Sequence, residues 1–277
     1  MSLNPTERLL FYSDLDATLL EARTGSFEAA KPMIKKLEAL GIPLILNSSR
    51  TAPEMLHLRR EMNNRHPFAA EHGGAVCTPV GYFEGQKIPL DHEVKMDYLG
   101  LHYKSILHHL IELKDLHDFS FLGFDDMSIP DLTRETGLSL EVAIQAKHRL
   151  ASEALVWLDR AELLDHFKAT LAERGLRLVK GGRFYFVISE RADKGGAVTW
   201  INFNYQAQDK SRPLKTVGIG DGPNDLDLLN QVDLPVVVAP PRGSRLAFDK
   251  PGTIFTEKSG PEGWAEGVEK ALAQLGL

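Results

Sequence analysis

Two aspartates separated by one residue follow an apolar run near the start of the chain. The segment reads LLFYSDLDATLL, so Asp14 and Asp16 come directly after a hydrophobic stretch. Side chains two positions apart in an extended chain lie on the same face, which brings the two like charges together. Since this repulsion costs free energy unless a cation or a chemical task compensates for it, the pair is a candidate metal or catalytic site.

Three further polar segments follow or precede short apolar runs, and we expect them at strand ends. They read NSSRT at residues 47–51, DKGG at 193–196 and GDGPND at 220–225. Ligands bind at the carboxyl ends of strands in an open α/β sheet, so we expect Asp14, Asp16 and Asp221 to meet near Lys194 and Ser48. Carboxylates with room for water ligands suit Mg²⁺, and together with cationic and N–H donors they suit phosphoryl transfer.

Each motif by itself has an ordinary structural explanation. Asp-x-Asp is common in turns, Ser48 and Ser49 could cap the next helix, and Gly-Asp-Gly-Pro could form a tight turn. A calcium loop starting at Asp14 fails, because Leu19 and Gly25 stand where such a loop needs Gly and Glu. The dinucleotide pattern G-x-G-x-x-G and the phosphate loop ending in Gly-Lys-Ser/Thr are absent. The combination of the four segments therefore favours a phosphoryl site.

The elements around these segments alternate between strand and helix. Apolar runs predict strands at residues 9–13, 42–47, 68–76, 215–220 and 234–240, and amphipathic segments predict helices at residues 33–40, 53–62, 224–231 and 262–275. Alternation of this kind predicts an α/β fold with a doubly wound, parallel, Rossmann-like sheet covered on both faces.

The middle of the chain has a different character. Longer and more polar helical segments are mixed there with short strand candidates such as ALVWL and LRLVK. We predict a catalytic core domain formed by residues 1–84 and 191–277, with an α+β cap domain inserted at residues 85–190.

Composition excludes several classes of function. The 277 residues carry a formal net charge of −6 without a basic run, which argues against nucleic acid as the partner. The apolar runs are too short to span a membrane, and no signal pattern begins the chain, so we expect a cytoplasmic protein. Cys77 is the single cysteine and is interpreted as an inert, partly buried thiol. A small anionic molecule remains the expected partner, and oligomeric state is not readable.

The four segments, in this order, resemble the motifs of the haloacid dehalogenase superfamily of aspartyl-phosphate phosphatases. The resemblance implies that Asp14 is the nucleophile and that Asp16 is first the general acid and then the base. It also implies that Ser48 hydrogen-bonds the phosphoryl group and that Lys194 steadies Asp14. The Mg²⁺ ligands implied by the resemblance are Asp14, Asp16 through its carbonyl, Asp221 and Asp225, with Asn224 beside them.

Two positions depart from the usual motifs. Ala17 stands where the family usually has glycine, and we expect it to be tolerated if φ there stays negative. Ser48-Ser49-Arg50 replaces the more usual Thr-Gly-Arg but keeps the hydroxyl group.

The inserted region resembles that of mannosyl-3-phosphoglycerate phosphatases, notably in KGGRFYFVISERADKGGAV and in GFDDMSIPDLTRETGLSLEVAIQAKHRLASEALVW. Such a substrate carries a phosphate, a carboxylate and a sugar, so its site needs cations and hydrogen-bond donors. Arg149 and Glu153 could share a helical face, unless the helix stops before Glu153. The candidate substrate-binding residues are Ser49, Arg50, Arg134, Arg149, Gly182, Arg183, Phe184 and Asn224.

The resulting hypothesis is a Mg²⁺-dependent phosphomonoesterase that hydrolyses mannosyl-3-phosphoglycerate through an aspartyl phosphate. A glucosyl-3-phosphoglycerate phosphatase and a broader sugar-phosphate phosphatase are the alternatives within the same class. A phosphotransferase that moves phosphate to a second acceptor is a third reading. A non-catalytic sensor of phosphorylated ligands is the alternative from another class, although the presence of Asp14, Asp16, Lys194 and Asp221 favours an enzyme.

Overall fold

The computed structural model describes residues 7–89, 91–181 and 183–277, and the strands within them form two sheets. The strands are β1 (Arg8–Ser13), β2 (Leu44–Asn47), β3 (Phe68–Ala70), β4 (Ala75–Pro79), β5 (Val94–Tyr98), β6 (Phe121–Gly123), β7 (Ser152–Trp157), β8 (Leu176–Lys180), β9 (Tyr185–Ser189), β10 (Leu214–Gly220), β11 (Leu234–Ala239) and β12 (Ile254–Ser259). The larger sheet has the order β12-β11-β10-β1-β2-β3-β4-β5, and the smaller one has the order β6-β7-β9-β8.

Helices cover both faces of the larger sheet. The helices of the described residues are α1 (Lys31–Ala39), α2 (Ala52–Glu61), α3 (Tyr103–His117), α4 (Ile129–Thr136), α5 (Leu140–Lys147), α6 (Leu163–Ala172), α7 (Lys194–Gln208), α8 (Leu226–Gln231) and α9 (Gly260–Leu275). None of these helices combines the length and the apolar character that a membrane span requires.

The pairing of the larger sheet confirms the predicted fold class. Its strands from β12 to β3 are parallel, and only β4 and β5 are added antiparallel at one edge. Successive residues of a strand point to opposite faces, so Phe11 packs with Trp264 of α9 on one face while Tyr12 packs with Ile201 of α7 on the other. Burial on both faces explains why these strands read as short, continuous apolar runs.

The smaller sheet is antiparallel and has its own apolar contacts. Leu155 and Val187 pack with α3 and α6 on one face, while Ala154 packs with α4 and α5 on the other. We call this sheet with α3–α6 the cap, and the larger sheet with its helices the core. The predicted division at residues 85 and 190 stays a prediction, but β5 lies inside the predicted insertion and pairs with β4 of the core sheet.

Hydrogen bonds hold the cap on the core. Glu71, in the turn after β3, is fully buried and accepts from the N–H groups of Leu150 (2.7 Å) and Ala151 (3.0 Å) and from Ser152 Oγ (2.6 Å). In addition, Thr51 Oγ donates to the Gln145 carbonyl at 2.9 Å. These bonds fix the loop before β7 against the carboxyl ends of the core strands.

The backbone after the first motif turns in an unfavourable region of conformational space. Ala17 has φ of +63°, in the left-handed region, so the condition under which alanine was expected to be tolerated is not met. The chain must reverse at this point because Asp14 and Asp16 leave the sheet edge while Leu19 and Leu20 return to the core. A Cβ atom makes this conformation cost about 1–2 kcal/mol, whereas glycine adopts it freely.

We therefore expect Ala17→Gly to raise the free energy of unfolding by about 0.5–1 kcal/mol, since relief of strain outweighs the added entropy of the unfolded chain. Urea unfolding measures the change. The matched control is Ala207→Gly at an exposed position of α7, which should lower the same quantity by up to about 1 kcal/mol. A loss of stability in both variants would contradict the strain at Ala17.

The cap also corrects the proposed helical pair of Arg149 and Glu153. Helix α5 ends at Lys147, so Arg149 lies in the following loop and Glu153 lies in β7. Glu153 is 1% exposed, accepts from Tyr103 Oη at 2.8 Å and from Asp125 N at 2.8 Å, and is not on a helix face with Arg149. Burial raises the pKa of Glu153 to about 7, even though the hydrogen bond from Asp125 N opposes the shift.

This shift predicts a pH-dependent stability. Because the pKa of Glu153 is raised in the folded protein, the folded state binds more protons between pH 4.5 and 7, and its stability falls as pH rises through that window. Glu153→Gln removes the titration, so the stability of wild type relative to this variant should drop by on the order of 2–3 kcal/mol from pH 4.5 to 7.5.

Denaturant unfolding of both proteins at several pH values measures this difference. Glu173→Gln, which changes an exposed glutamate at the end of α6, is the control and should leave the wild-type pH profile unchanged. Parallel curves for wild type and Glu153→Gln would show that Glu153 does not titrate in this range.

Candidate active site

A buried lysine joins two of the predicted carboxylates. Lys194 is 1% exposed, and its Nζ lies 2.5 Å from Asp14 Oδ1 and 2.6 Å from Asp225 Oδ1. Asp14 follows β1, Lys194 begins α7 and Asp225 precedes α8, so three distant segments of the chain meet at one ammonium group.

The electrostatics of this cluster are set by burial and mutual repulsion. Burial raises the pKa of Asp14, and the charge of Asp225 adds to the effect while Lys194 opposes it. Burial lowers the pKa of Lys194, but the charges of Asp14 and Asp225 outweigh it and hold this pKa above its usual value. The raised pKa favours the charged form of Lys194, and this single positive charge is shared between Asp14 and Asp225.

Asp221 completes an acidic cluster at the end of β10. One carboxylate oxygen from each of Asp14, Asp221 and Asp225 lies within 4.8 Å of the other two. Thr18 Oγ donates to Asp221 Oδ1 at 2.7 Å, which ties the loop after β1 to the loop after β10. Burial, followed by the charge of Asp225, raises the pKa of Asp221 to about 6.

Asp225 has a supporting place in this cluster. Its Oδ1 accepts from Lys194, and its Oδ2 accepts from the N–H groups of Asp221 (3.0 Å) and Gly222 (3.1 Å). Both oxygens are thus engaged by the protein, and the carboxylate shapes the turn that presents Asp221. Its predicted role as a direct metal ligand stays a prediction.

The charges at the site fit a divalent cation. Asp14, Asp16, Asp221 and Asp225 supply four carboxylates, and Lys194 and Arg50 are the cations paired with them. Two negative charges are left over, and repulsion from Asp225 adds to burial in raising the pKa of both Asp14 and Asp221. A hard dication with oxygen ligands would balance them, as Mg²⁺ does in carboxylate sites.

Asp16 lies apart from the acidic cluster and faces a cation. Its side chain is 52% exposed and pairs with Arg50 through two contacts, Oδ1 to Nη2 at 2.6 Å and Oδ2 to Nε at 3.2 Å. Asp16 is not part of the group of carboxylates that lie within 4.8 Å of one another, and its predicted metal contact stays a prediction. Its position at the solvent side of the site suits a group that exchanges protons.

Lys194 is not at a strand end, contrary to the expectation for the DKGG segment. It begins α7, and Asp193 caps this helix by accepting from Gly196 N at 2.5 Å. The lysine reaches the sheet edge because the turn after β3 packs closely against it: a Cβ on Gly73, which has φ of +84°, would lie 2.1 Å from the Asp193 carbonyl oxygen. Asn47 Nδ2 also donates to the Lys194 carbonyl at 2.9 Å.

The second motif places its two serines differently. Ser48 is fully buried, and its Oγ accepts from Arg50 N at 3.3 Å. Ser49 instead lines a crevice of about 470 Å³ between core and cap. The residues that line this crevice are Asp14, Asp16, Ala17, Ser49, His72, Lys180, Gly181, Arg183, Phe184, Phe186, Asp221, Gly222, Pro223 and Asn224.

The candidate cap residues fall into two groups. Arg183 and Phe184 line the crevice; Arg183 also pairs with Glu135 Oε2 at 3.2 Å. Arg134 is largely exposed, pairs with Asp131 and is not among the crevice-lining residues. Gly182 lies outside the described residues.

Arg149 occupies the contact between core and cap. Its guanidinium is buried and donates to the carbonyls of Ser152 (2.9 Å) and Ala146 (3.2 Å), and its Nε lies 3.9 Å from Glu71. It does not line the crevice, so the structure offers no geometric support for its predicted contact with substrate.

Three polar residues at the site carried no predicted role. Thr18 binds Asp221, His72 packs its ring 4.8 Å from that of Phe186, and Lys180 lines the crevice from the end of β8. Thr18 belongs to the DLDAT segment and could have been found there. His72 and Lys180 adjoin the glycine pairs in EHGG and VKGG, the only local signal for either of them.

Comparison with known proteins agrees with this geometry. A family model for haloacid dehalogenase-like hydrolases matches residues 11–241. A protein of Persephonella marina named glucosyl-3-phosphoglycerate/mannosyl-3-phosphoglycerate phosphatase is 32% identical over 269 residues, covering 96% of this chain and 98% of that protein.

Solved structures show the same fold at low identity. Sucrose-phosphatase of Synechocystis, in complex with sucrose and phosphate, gives a TM-score of 0.61 at 14% identity over 98% of both chains. A phosphatase of the haloalkanoate superfamily from Bacteroides thetaiotaomicron gives 0.64 at 15% identity, over 100% of this chain and 98% of its own. With the family match and the full-length relative, the conclusion is that this chain belongs to the haloacid dehalogenase-like hydrolases and is a phosphatase.

Proposed function

We propose that this phosphatase is a Mg²⁺-dependent phosphomonoesterase that hydrolyses mannosyl-3-phosphoglycerate to mannosylglycerate and phosphate. The observation that supports the catalytic part is the contact of buried Lys194 with Asp14, next to Asp221 and at a crevice lined by both core and cap. Glucosyl-3-phosphoglycerate is the second candidate substrate, because the Persephonella marina relative is named for both compounds.

Asp14 is the nucleophile in this proposal. Lys194 occupies its Oδ1, and no described residue donates a hydrogen bond to Oδ2, which is left to attack phosphorus. The new bond joins Oδ2 to phosphorus while the bond from phosphorus to the ester oxygen breaks, and the product is an aspartyl phosphate. The fixed charge of Lys194 holds the carboxylate in place and disperses negative charge that develops during attack.

Asp16 moves the proton in both halves of the reaction. It donates a proton to the departing alkoxide, and as a carboxylate it then takes a proton from the water that attacks the aspartyl phosphate. The second attack breaks the bond between phosphorus and Asp14 and releases inorganic phosphate. Arg50 would orient Asp16 through its two-point contact and must loosen that contact when the carboxyl group is protonated.

Asp14 and Asp221 would hold the metal ion, together with the Asp16 carbonyl, and Asp225 would keep the Asp221 loop in shape. When bound, Mg²⁺ offsets the repulsion between the attacking carboxylate and the phosphate dianion. The hydrogen bond from Thr18 to Asp221 and the buried position of Asp225 support this assignment because they leave the loop little freedom to separate from Asp14.

The crevice has features that suit a glycosylated phosphoglycerate. Phe184 and Phe186 supply apolar ring surface for a sugar, and Arg183 lies beside them as a cation. Ser49 and Asn224 add hydrogen-bonding groups on the core side. Mannose and glucose differ in the orientation of one hydroxyl group, so discrimination between them depends on one or two such donors.

Asp14→Asn is expected to lower kcat by at least about three orders of magnitude, because the amide cannot form the covalent intermediate. Colorimetric assay of phosphate released from mannosyl-3-phosphoglycerate and from an aryl phosphate measures the loss. Asp115→Asn, at an exposed position on α3, is the control and should keep wild-type activity. Near-normal turnover by a folded Asp14→Asn protein would refute the nucleophile assignment.

Removal of divalent metal by EDTA should abolish phosphate release from an aryl phosphate, and added Mg²⁺ should restore it, because the carboxylates cannot otherwise approach the dianion. The same assay separates the rival functions. A phosphotransferase would move phosphate to an added alcohol acceptor instead of freeing it, and a sensor would show binding without turnover in any divalent metal.

A further inference from the structure

The cations around the crevice differ in whether a carboxylate already binds them. Arg50 is paired with Asp16, Lys194 with Asp14 and Asp225, and Arg183 with Glu135. Arg177, which lies in an adjoining cavity, is 3.6 Å from Asp227. Within the described ranges of the chain, Lys180 forms neither an ion pair nor a hydrogen bond through its side chain, although it lines the crevice.

Lys180 lies where two cavities meet. A smaller cavity of about 260 Å³ adjoins the crevice and shares with it the lining residues His72, Lys180, Pro223 and Asn224. Lys180 is an exposed residue that lines both spaces, so its side chain can reach a ligand in either of them. A substrate that branches beyond its phosphate ester would place one branch in each cavity, and Lys180 lies between them.

The position of Lys180 is fixed by the hairpin that carries it. Lys180 pairs with Tyr185 across β8 and β9, and the Gly181 N–H donates to the Phe184 carbonyl at 2.9 Å to close the loop. Two positions further, the Phe186 ring packs against His72 of the core at 4.8 Å. The contact of Phe186 with His72 thereby holds the strands of this hairpin against the core beside the crevice.

The charges around the crevice favour Lys180 as the residue that compensates a negative charge on the leaving group. His72 is buried, and burial with the nearby charge of Lys194 lowers its pKa well below the usual value, so its ring is neutral. The phosphate group is compensated at Asp14, Lys194 and the metal site. An anionic group elsewhere on the substrate would face the acidic surplus of the core and needs a cation of its own.

We infer that Lys180 is a specificity-determining residue that binds the carboxylate of the substrate's leaving group, at the junction of the two cavities. This inference rests on the proposed phosphomonoesterase function, but it is independent of which sugar the substrate carries. In this interpretation Lys180 selects phosphate esters that carry a carboxylate, while Arg183 stays paired with Glu135.

The test compares two small esters that differ at one group. 3-Phosphoglycerate and glycerol 3-phosphate share the three-carbon phosphate and differ by a carboxylate against a hydroxymethyl group. Wild type should favour 3-phosphoglycerate in kcat/KM. Lys180→Gln should lose at least tenfold on 3-phosphoglycerate, which is about 1.4 kcal/mol, and less than about threefold on glycerol 3-phosphate. Lys180→Arg should keep most of the preference because it keeps the charge.

The control is Lys104→Gln, at an exposed lysine on α3 that lines neither cavity, and it should behave as wild type on both esters. Equal losses by Lys180→Gln on the two esters, or an undiminished preference for the carboxylate, would overturn the inference. The absence of any preference in wild type would overturn it as well.

Failure of the proposed function can be distinguished from failure of the inference about Lys180. If wild type hydrolyses 3-phosphoglycerate but neither glycosylated compound, the substrate assignment fails while the role of Lys180 stands on its own data. If no ester is turned over, calorimetry on Asp14→Asn and on Asp14→Asn with Lys180→Gln measures affinity for 3-phosphoglycerate directly. A tenfold weaker affinity in the double variant supports the inference, and equal affinities refute it.

Discussion

The charged contact of Lys194 with Asp14 and Asp225 is the interaction on which the site depends. A buried ammonium group without a partner would destabilise the fold, and loss of one partner from such a cluster costs about 3–5 kcal/mol. The three residues come from the end of β1, the start of α7 and the turn before α8. The same attraction therefore holds three segments of the core together and aligns the carboxylate that is proposed to attack phosphorus.

The incomplete charge balance around this contact explains how the site can be both stable and reactive. Lys194 satisfies one oxygen of Asp14, and hydrogen bonds from the backbone satisfy Asp225, so neither group needs a substrate to be stable. Asp221 has Thr18 as its hydrogen-bond donor, and the charge of Lys194 offsets its negative charge only in part. The unbalanced negative charge is thus concentrated at the edge of the crevice, where a dication and a phosphate group would be bound together.

The cap contributes to the site through its attachment to the core as well as through the side chains that line the crevice. Glu71 binds three donors of the loop before β7, and the neighbouring His72 contacts Phe186, so consecutive residues of one turn fix two parts of the cap. Both residues have positive φ, a conformation that costs free energy in non-glycine residues and persists when surrounding contacts enforce it. The strained turn is accordingly located where the core, the cap and the crevice meet.

Sequence patterns by themselves were enough to find the fold class, the strands that end at Asp14, Ser48 and Asp221, and the gathering of Asp14, Asp221 and Lys194 in one place. They succeeded because buried parallel strands are continuous apolar runs and because all their carboxyl ends lie at one edge of the sheet. The edge strands β5 and β12 were missed because their sequences, VKMDY and IFTEKS, carry charges that mask the strand pattern.

Only the tertiary structure decided the sign of φ at Ala17, the start of α7 at Lys194 and the position of Arg149 between core and cap. It also decided that Arg183 pairs with Glu135, whereas Lys180 has no ion pair among the residues that the structure describes. In each case the deciding partner lies far away in the chain or on a turn whose direction is set by packing. Local periodicity describes which face a residue takes, but it carries no information about which distant charge will lie opposite it.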